Sequence, residues 1–277
     1  MSERVSSSPP IYDSTKRPPP AVEEAREAWR YRDLIYQLVR RDITARYKRS
    51  VLGIAWTMLN PLGMMIVLSV VFSALFPTVN SYPVFVMTAL VAWNFYSQTS
   101  MAAISSLVWG GGLFQRIYLP KSAFAIAAIG TGLVNTVLAL VPLVAVMLVL
   151  GVPLRPAMLV TPFTLLPLAF FSLGVGLLLS SIGIYFADVV EMYNVALMAL
   201  FYASPIVYPL SQLPPKVQHL LSFNPLVYLL ELFRQPIYKG VVPEPRLWLL
   251  AYGLSLGTLL VGWLAFASKV DEFAYRT

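Results

Sequence analysis

Arg40-Arg41-Asp42-Ile43-Thr44-Ala45-Arg46-Tyr47-Lys48-Arg49-Ser50-Val51-Leu52-Gly53-Ile54-Ala55-Trp56-Thr57-Met58-Leu59-Asn60-Pro61 is the stretch on which the reading of this chain turns. A strongly basic segment passes there, within a few residues, into an apolar run that continues to Phe76. Clustered charges are stable in water or among lipid headgroups, and a long apolar run is stable in hydrocarbon. The junction therefore reads as a membrane boundary with its basic side in the cytoplasm.

Composition points the same way. Of 277 residues, 58% are hydrophobic and only 12% are charged, about half the charged share of a soluble domain. Mean hydropathy is +0.70. Such a chain lacks the polar surface to face water all round, so lipid is the expected solvent. The 22 prolines argue against straight, unbroken rods. With no cysteine, disulfides, thiolate metal sites and cysteine nucleophiles are excluded.

Outward from the boundary, residues 1–22 read as a disordered, proline-rich cytoplasmic tail. Residues 1–30 hold no apolar core for a cleavable leader, so the first span is expected to stay in the chain. Over 23–50, apolar residues at three- and four-residue steps (Ala28, Tyr31, Ile35, Leu38, Val39) alternate with arginines. That pattern predicts one basic amphipathic helix lying in the membrane interface. Residues 51–268 then divide into six spans: about 54–76, 84–109, 122–150, 159–185, 188–205 and 247–267, with Asn60-Pro61 expected to break the first. Span 2 carries Asn94, Ser97, Gln98 and Ser105 on one face, which should look toward protein or water. In span 4, Ser172, Gly174, Gly176, Ser180 and Ser181 permit close helix contact. The segment from about 206 to 246 is too long for a turn, and prolines break it too often for a span. Its short apolar runs suit re-entrant helices, the second capped by Asn224-Pro225. Residues 269–277 form a second cytoplasmic tail. The expected fold is an all-α integral membrane protein of six transmembrane helices, with an interfacial amino-terminal helix and re-entrant helices between spans 5 and 6. On this topology 15 of the 20 Lys and Arg residues lie inside and 5 outside, as the positive-inside rule requires. The basic balance then calls for no nucleic-acid partner.

Catalytic motifs are few. Gly253-Leu254-Ser255-Leu256-Gly257 fits G-x-S-x-G, but that motif needs a strand-turn-helix context and a nearby histidine; here it lies in an apolar helix, and the only histidine, His219, lies in the outer segment. The same five residues fit G-x-x-x-G, so Gly253 and Gly257 are read as helix-packing glycines. Asp188-Val189-Val190-Glu191 is read as a capping box opening span 5. No phosphate-binding G-x-x-x-x-G-K-[ST] and no metal-ligand cluster occurs, so no metal or cofactor is assigned to the chain itself. Between spans 2 and 3, Leu113-Phe114-Gln115-Arg116-Ile117-Tyr118-Leu119-Pro120-Lys121 reads as a short cytoplasmic turn. Its protruding aromatic and basic side chains also suit a partner's groove.

Residues 42–65, the loop 114–121, Tyr202-Ala203-Ser204-Pro205-Ile206-Val207-Tyr208-Pro209, and Phe223-Asn224-Pro225 on to Arg234 and Gly240 together resemble the type-2 ABC transporter permeases that export O-antigen, teichoic acid or capsule. The chain departs at Ala187-Asp188, where the family usually has Arg-Asp. The resemblance implies a half-transporter in the bacterial inner membrane, both termini cytoplasmic, working as two copies above two ATPase subunits that bind ATP and Mg. The cargo would be a polysaccharide on a polyprenyl diphosphate lipid. The 23–48 helix with Arg41 and Asp42, and Phe114, Arg116, Tyr118 and Lys121, would contact the ATPase. Pro205, Phe223, Asn224 and Pro225 would belong to the outer gate. A sugar offers hydroxyls on one edge and C–H faces on the other, so Trp93, Asn94, Tyr96, Gln98, Tyr202 and Tyr208 are candidates for the path. The same aromatics also suit a membrane–water boundary. Arg46, Lys48 and Arg49 could attract a diphosphate headgroup, although the positive-inside rule alone explains them. An exporter of a lipid or drug is the neighbouring alternative. An ion-coupled transporter would need ionisable groups at mid-membrane, and spans 1, 2, 3, 4 and 6 have none deep within them.

Overall fold

A computed structural model describes residues 18–48, 52–110 and 119–272, and every regular element within them is helical. In chain order these are α1 (Pro20–Arg30), α2 (Arg32–Tyr47), α3 (Ala55–Phe72), α4 (Tyr82–Val108), α5 (Ser122–Val149), α6 (Thr161–Gly183), α7 (Val189–Tyr202), α8 (Pro215–Leu221), α9 (Pro225–Arg234) and α10 (Pro245–Lys269). Short tighter turns extend some of them.

Four segments are long and apolar enough to cross a membrane: Ala55–Leu75, Ser122–Val149, Pro156–Gly183 and Pro245–Lys269. Their outward side chains are those expected against lipid; Val70, Val137, Leu166, Leu249 and Leu260 all stand exposed. α4 has the length, at 27 residues, but Asn94, Ser97, Gln98 and its hydroxyls make it too polar to qualify by composition. It is instead the centre of the bundle, packed on α3, α5, α6, α7 and α9. Its buried hydroxyls turn back on the helix: Thr88, Thr99 and Ser100 donate to the carbonyls of Phe85, Phe95 and Tyr96 at 2.8, 2.6 and 2.7 Å. These three hydroxyls are thus satisfied without water. α7 has only 14 residues, about 21 Å of rise against a hydrocarbon core of roughly 30 Å.

Several expectations need correction. The predicted single amino-terminal helix is two, broken at Tyr31, whose backbone (φ −95°, ψ 25°) leaves the helical region. Asn60-Pro61 does not break the first span, because α3 runs through Pro61. The capping box at Asp188 does not form. Its backbone is already helical (φ −60°, ψ −17°), so the carboxylate makes no capping bond, which normally requires an extended residue. Asn224 does cap α9: it is extended, and its side-chain oxygen accepts the Leu226 N–H at 3.0 Å.

The most extensive helix pairing is α6 with α10, and small residues make it possible. A Cβ at Gly174 would lie 2.6 Å from the Leu259 backbone nitrogen, and one at Gly262 would lie 2.1 Å from the Gly174 carbonyl oxygen. Gly253 and Gly257 meet nothing within 4 Å in this chain. The buried residues of α10 are Ala251, Ser255, Gly262, Phe266 and Ala267, a stripe at helical period that passes beside both of them.

At the amino-terminal end of the bundle, α1 lies across the ends of α5 and α10. Glu24, 5% exposed, accepts the Ser122 N–H that opens α5 at 2.9 Å. The Trp263 indole N–H donates to the Ala21 carbonyl at 3.0 Å. Lys121 donates to the carbonyl of Val270.

Candidate functional site: a polar cleft along the central helix

An open cleft of about 570 Å³ runs between α3, α4 and α7. Of the six residues predicted for a saccharide path, Trp93, Asn94, Gln98 and Tyr202 line it. Their arrangement combines flat aromatic and apolar surface with amides. Trp93 meets Phe201 edge to face at 5.5 Å, and Phe201 meets Tyr202 likewise at 5.2 Å, so the aromatic wall is mutually braced. The side chains of Asn60, Asn94 and Gln98 have no hydrogen-bond partner among the described residues, which leaves their donors and acceptors available.

Tyr96 is not part of that wall. It is 2% exposed and points into the bundle, where its hydroxyl accepts from Tyr193 at 3.1 Å. Tyr193 and Ser100 lie 2.7 Å apart, oxygen to oxygen. The three hydroxyls tie α7 to α4. Tyr208 also serves structure, donating to the Tyr202 carbonyl at 2.8 Å.

At the far end, the connection between α7 and α10 forms a braced cap. Asn224 donates to the Ala203 carbonyl and the Ser204 hydroxyl, both at 3.0 Å, and Pro225 opens α9. Pro205 is buried. Phe223 is exposed and stacks edge to face on His219 at 5.5 Å. Sequence reasoning did not single out the strongest feature of this cap. Arg234 is 2% exposed; its guanidinium donates to the Pro205 carbonyl at 2.5 Å and lies 4.0 Å from the centre of the Phe85 ring. Burial pulls its pKa down to about 10, opposed by Glu231, Tyr238 and Tyr82, so it stays a cation at neutral pH. Glu231 is 3.9 Å from Arg234 and 2.5 Å from the Lys239 ammonium. Burial alone would push its carboxyl up, but Lys239, Arg234 and Gln235 together hold it below the usual carboxylate value. The signal in the sequence was an arginine three residues after a glutamate within a largely apolar run.

For the expected ATPase-facing set, Phe114, Arg116 and Tyr118 lie outside the described residues. Lys121 does not protrude: it is 9% exposed and held under the end of α10. Arg41 and Asp42 pair with each other at 2.8 Å and line a recess between α2 and helices α4 and α5. Among the described residues, no group of three or more His, Asp or Glu converges as a metal site.

A helical bundle with exposed apolar flanks, a polar central helix and an amide-lined cleft defines a multi-pass membrane protein built for passage. The chain belongs to the ABC-2 type transporter family, whose model matches residues 33–238. It is similar to the O-antigen export system permease protein RfbA of Myxococcus xanthus, 29% identical over 91% of this chain and 98% of that one. It is 25% identical to the polysialic acid transport protein KpsM of Escherichia coli, over 83% of this chain and 91% of the other. It is also 26% identical to the capsule polysaccharide export inner-membrane protein CtrC of Neisseria meningitidis, over 87% and 92% of the two chains.

Proposed function

We propose that this chain is the membrane subunit of an ATP-driven exporter that moves a polysaccharide, carried on a polyprenyl diphosphate lipid, out across the bacterial inner membrane. The observation that carries the reading is that relatives of nearly the same extent as this chain bear the names of O-antigen, polysialic acid and capsule export proteins. The cleft agrees with a sugar cargo, since rings take the C–H faces and unpartnered amides take the hydroxyls. Two copies of the chain would close the cleft into a pore, and two copies of a separate ATPase would drive it from the cytoplasm, where both termini lie. All six spans, α4 and α7 included, would cross the bilayer, with α8 and α9 re-entering as the outer gate. Energy would arrive through α1, α2 and the segment ending at Lys121, and Phe114, Arg116 and Tyr118 would meet the ATPase. The Gly253–Gly257 face of α10, open within one chain, would remain for a neighbouring helix.

The test is deletion in the host followed by complementation. Loss of the chain should leave lipid-linked polysaccharide on the inner leaflet and none at the surface. Arg116 and Tyr118 changed together to alanine should leave ATP turnover without export. Surface polysaccharide at wild-type level in the deletion strain would refute the proposal.

A further inference from the structure

At the end of the bundle away from α1, a cavity of about 550 Å³ opens between the turn joining α3 to α4, the start of α4, and helices α8 and α9. It is separate from the cleft, although one short stretch of backbone borders both: Tyr202 lines the cleft, and Pro205 lines this cavity. A volume of this order suits a small molecule and not a coil of polymer.

The charged groups here are paired, but each keeps an unused side. Both hydrogen bonds to Glu231, from Gln235 at 3.1 Å and Lys239 at 2.5 Å, fall on Oε1. Its Oε2 accepts none among the described residues, and the Arg234 Nη1 stands 3.9 Å from it, beyond hydrogen-bond reach. Arg234 also lines the cavity, and its Nε–H is buried with no acceptor. An unused acceptor and an unused donor therefore belong to one wall. Gln212 and Gln218 add two more acceptors. Their amide nitrogens are engaged by the Thr78 hydroxyl and the Leu213 carbonyl, which leaves the amide oxygens open. Tyr228 and Tyr238 are on the lining too. Their hydroxyls donate to the Ser222 and Asn80 carbonyls at 3.0 and 2.6 Å, so the rings are held in place as flat apolar surface.

Such a lining selects by what it refuses. An anion would meet the Glu231 carboxylate and the amide oxygens, and a cation would meet Arg234 and Lys239. An apolar ligand would leave the guanidinium N–H unpaired. A neutral polyol answers every group, because each hydroxyl donates and accepts at once. Neighbouring hydroxyls of a sugar ring can serve Glu231 Oε2 and Arg234 together while the C–H face of the ring lies on tyrosine.

We propose that this cavity is a binding site for a neutral sugar unit, with Glu231 and Arg234 taking adjacent hydroxyls and Tyr228 and Tyr238 taking the ring face. It rests on the reading of the cargo as a saccharide, and it adds a hold on that chain beyond the cleft, at the end where the cap lies.

The purified full chain in phosphatidylcholine nanodiscs is titrated with methyl glycosides of mannose, galactose, rhamnose and N-acetylglucosamine. Binding is read by saturation-transfer NMR against empty nanodiscs. At least one glycoside should bind, and Glu231→Gln should weaken it roughly tenfold, the loss of a hydrogen bond to a charged acceptor. Ser211 lines the cavity and makes no hydrogen bond among the described residues. Ser211→Trp therefore leaves the bracing intact, and it should fill the space and abolish binding. Arg246→Gln, exposed at the same end and outside the lining, should bind as wild type does. No binding above empty nanodiscs, binding unchanged by Glu231→Gln or by Ser211→Trp, or an equal loss in Arg246→Gln overturns the proposal. So does displacement of the glycoside by glycerophosphoethanolamine, which would make the occupant a zwitterionic headgroup. Export is scored separately in cells. Cavity-dependent binding by a chain whose deletion leaves surface polysaccharide unchanged refutes the transport reading alone, and normal export by a chain that binds no glycoside refutes this site alone.

Discussion

Replacing Arg234 by methionine tests the cap between α7 and α10 most sharply. The side chain lies at 2% exposure, with one nitrogen donating to the Pro205 carbonyl at 2.5 Å and its cationic carbon 4.0 Å above Phe85. A hydrogen bond from a charged donor contributes about 1.5–3 kcal/mol, and a desolvated cation–π contact about 2 kcal/mol. Against these stands the cost of burying a guanidinium, whose Nε has no partner, and methionine removes that cost. Glu231 keeps Lys239 at 2.5 Å, so it is not stranded by the change. The net loss should be about 2–3 kcal/mol, or roughly 5–10 °C in Tm for a chain of this size. Arg234→Lys, which keeps charge but loses the planar fork, should fall between. The assay is thermal unfolding of purified protein in detergent, read by tryptophan fluorescence. A methionine variant as stable as wild type, or more so, would show that the buried cation is tolerated and does not clasp the cap.

Other outcomes follow from the same geometry. Gly174→Ala places a Cβ 2.6 Å from the Leu259 backbone and should destabilise the α6–α10 pair by about 1–3 kcal/mol. Gly257→Ala, with open space around it, should be neutral or stabilising by up to about 1 kcal/mol in monomeric detergent-solubilised protein; thermal melts of both variants check the contrast. Glu24→Ala leaves the buried Ser122 N–H without its acceptor, costing about 1–3 kcal/mol. It should lower saccharide exported per ATP hydrolysed more than it lowers ATP turnover. Glu231 has a folded pKa below its unfolded 4.5. Its stabilising contribution is therefore complete above that value and disappears as pH falls through the lower folded value. Tm measured against pH should show that decline in wild type and lose it in Glu231→Gln.

The positions of the helices are legible from hydrophobic run length: the six stretches expected to span fall on α3, α4, α5, α6, α7 and α10, of which α3, α5, α6 and α10 belong to segments long and apolar enough to cross a membrane. What was not legible depends on partners distant in sequence. Glu24 looks like one more charge on an amphipathic helix, and only the docking of α1 reveals that it accepts from Ser122, 98 residues away. Gly253 and Gly257 carry the spacing of a packing motif. Yet rotation along α10 turns the stripe of Ala251, Ser255 and Gly262 inward instead. For the cleft, Trp93, Asn94, Gln98 and Tyr202 could be read from residue chemistry, whereas Tyr96 could not be separated from them. It sits two residues from Asn94, on a face that meets α7 through Tyr193. A local motif also misled at Asp188, where residue types favour a cap and the backbone prevents it.

Reconstitution decides the central claim. The purified chain is placed in proteoliposomes with lipid-linked polysaccharide, with and without the ATPase subunit, and saccharide reaching the opposite leaflet is measured by lectin protection. Transfer should require the ATPase and hydrolysable ATP together, and should cease when either is omitted. Transfer by this chain alone would contradict the account.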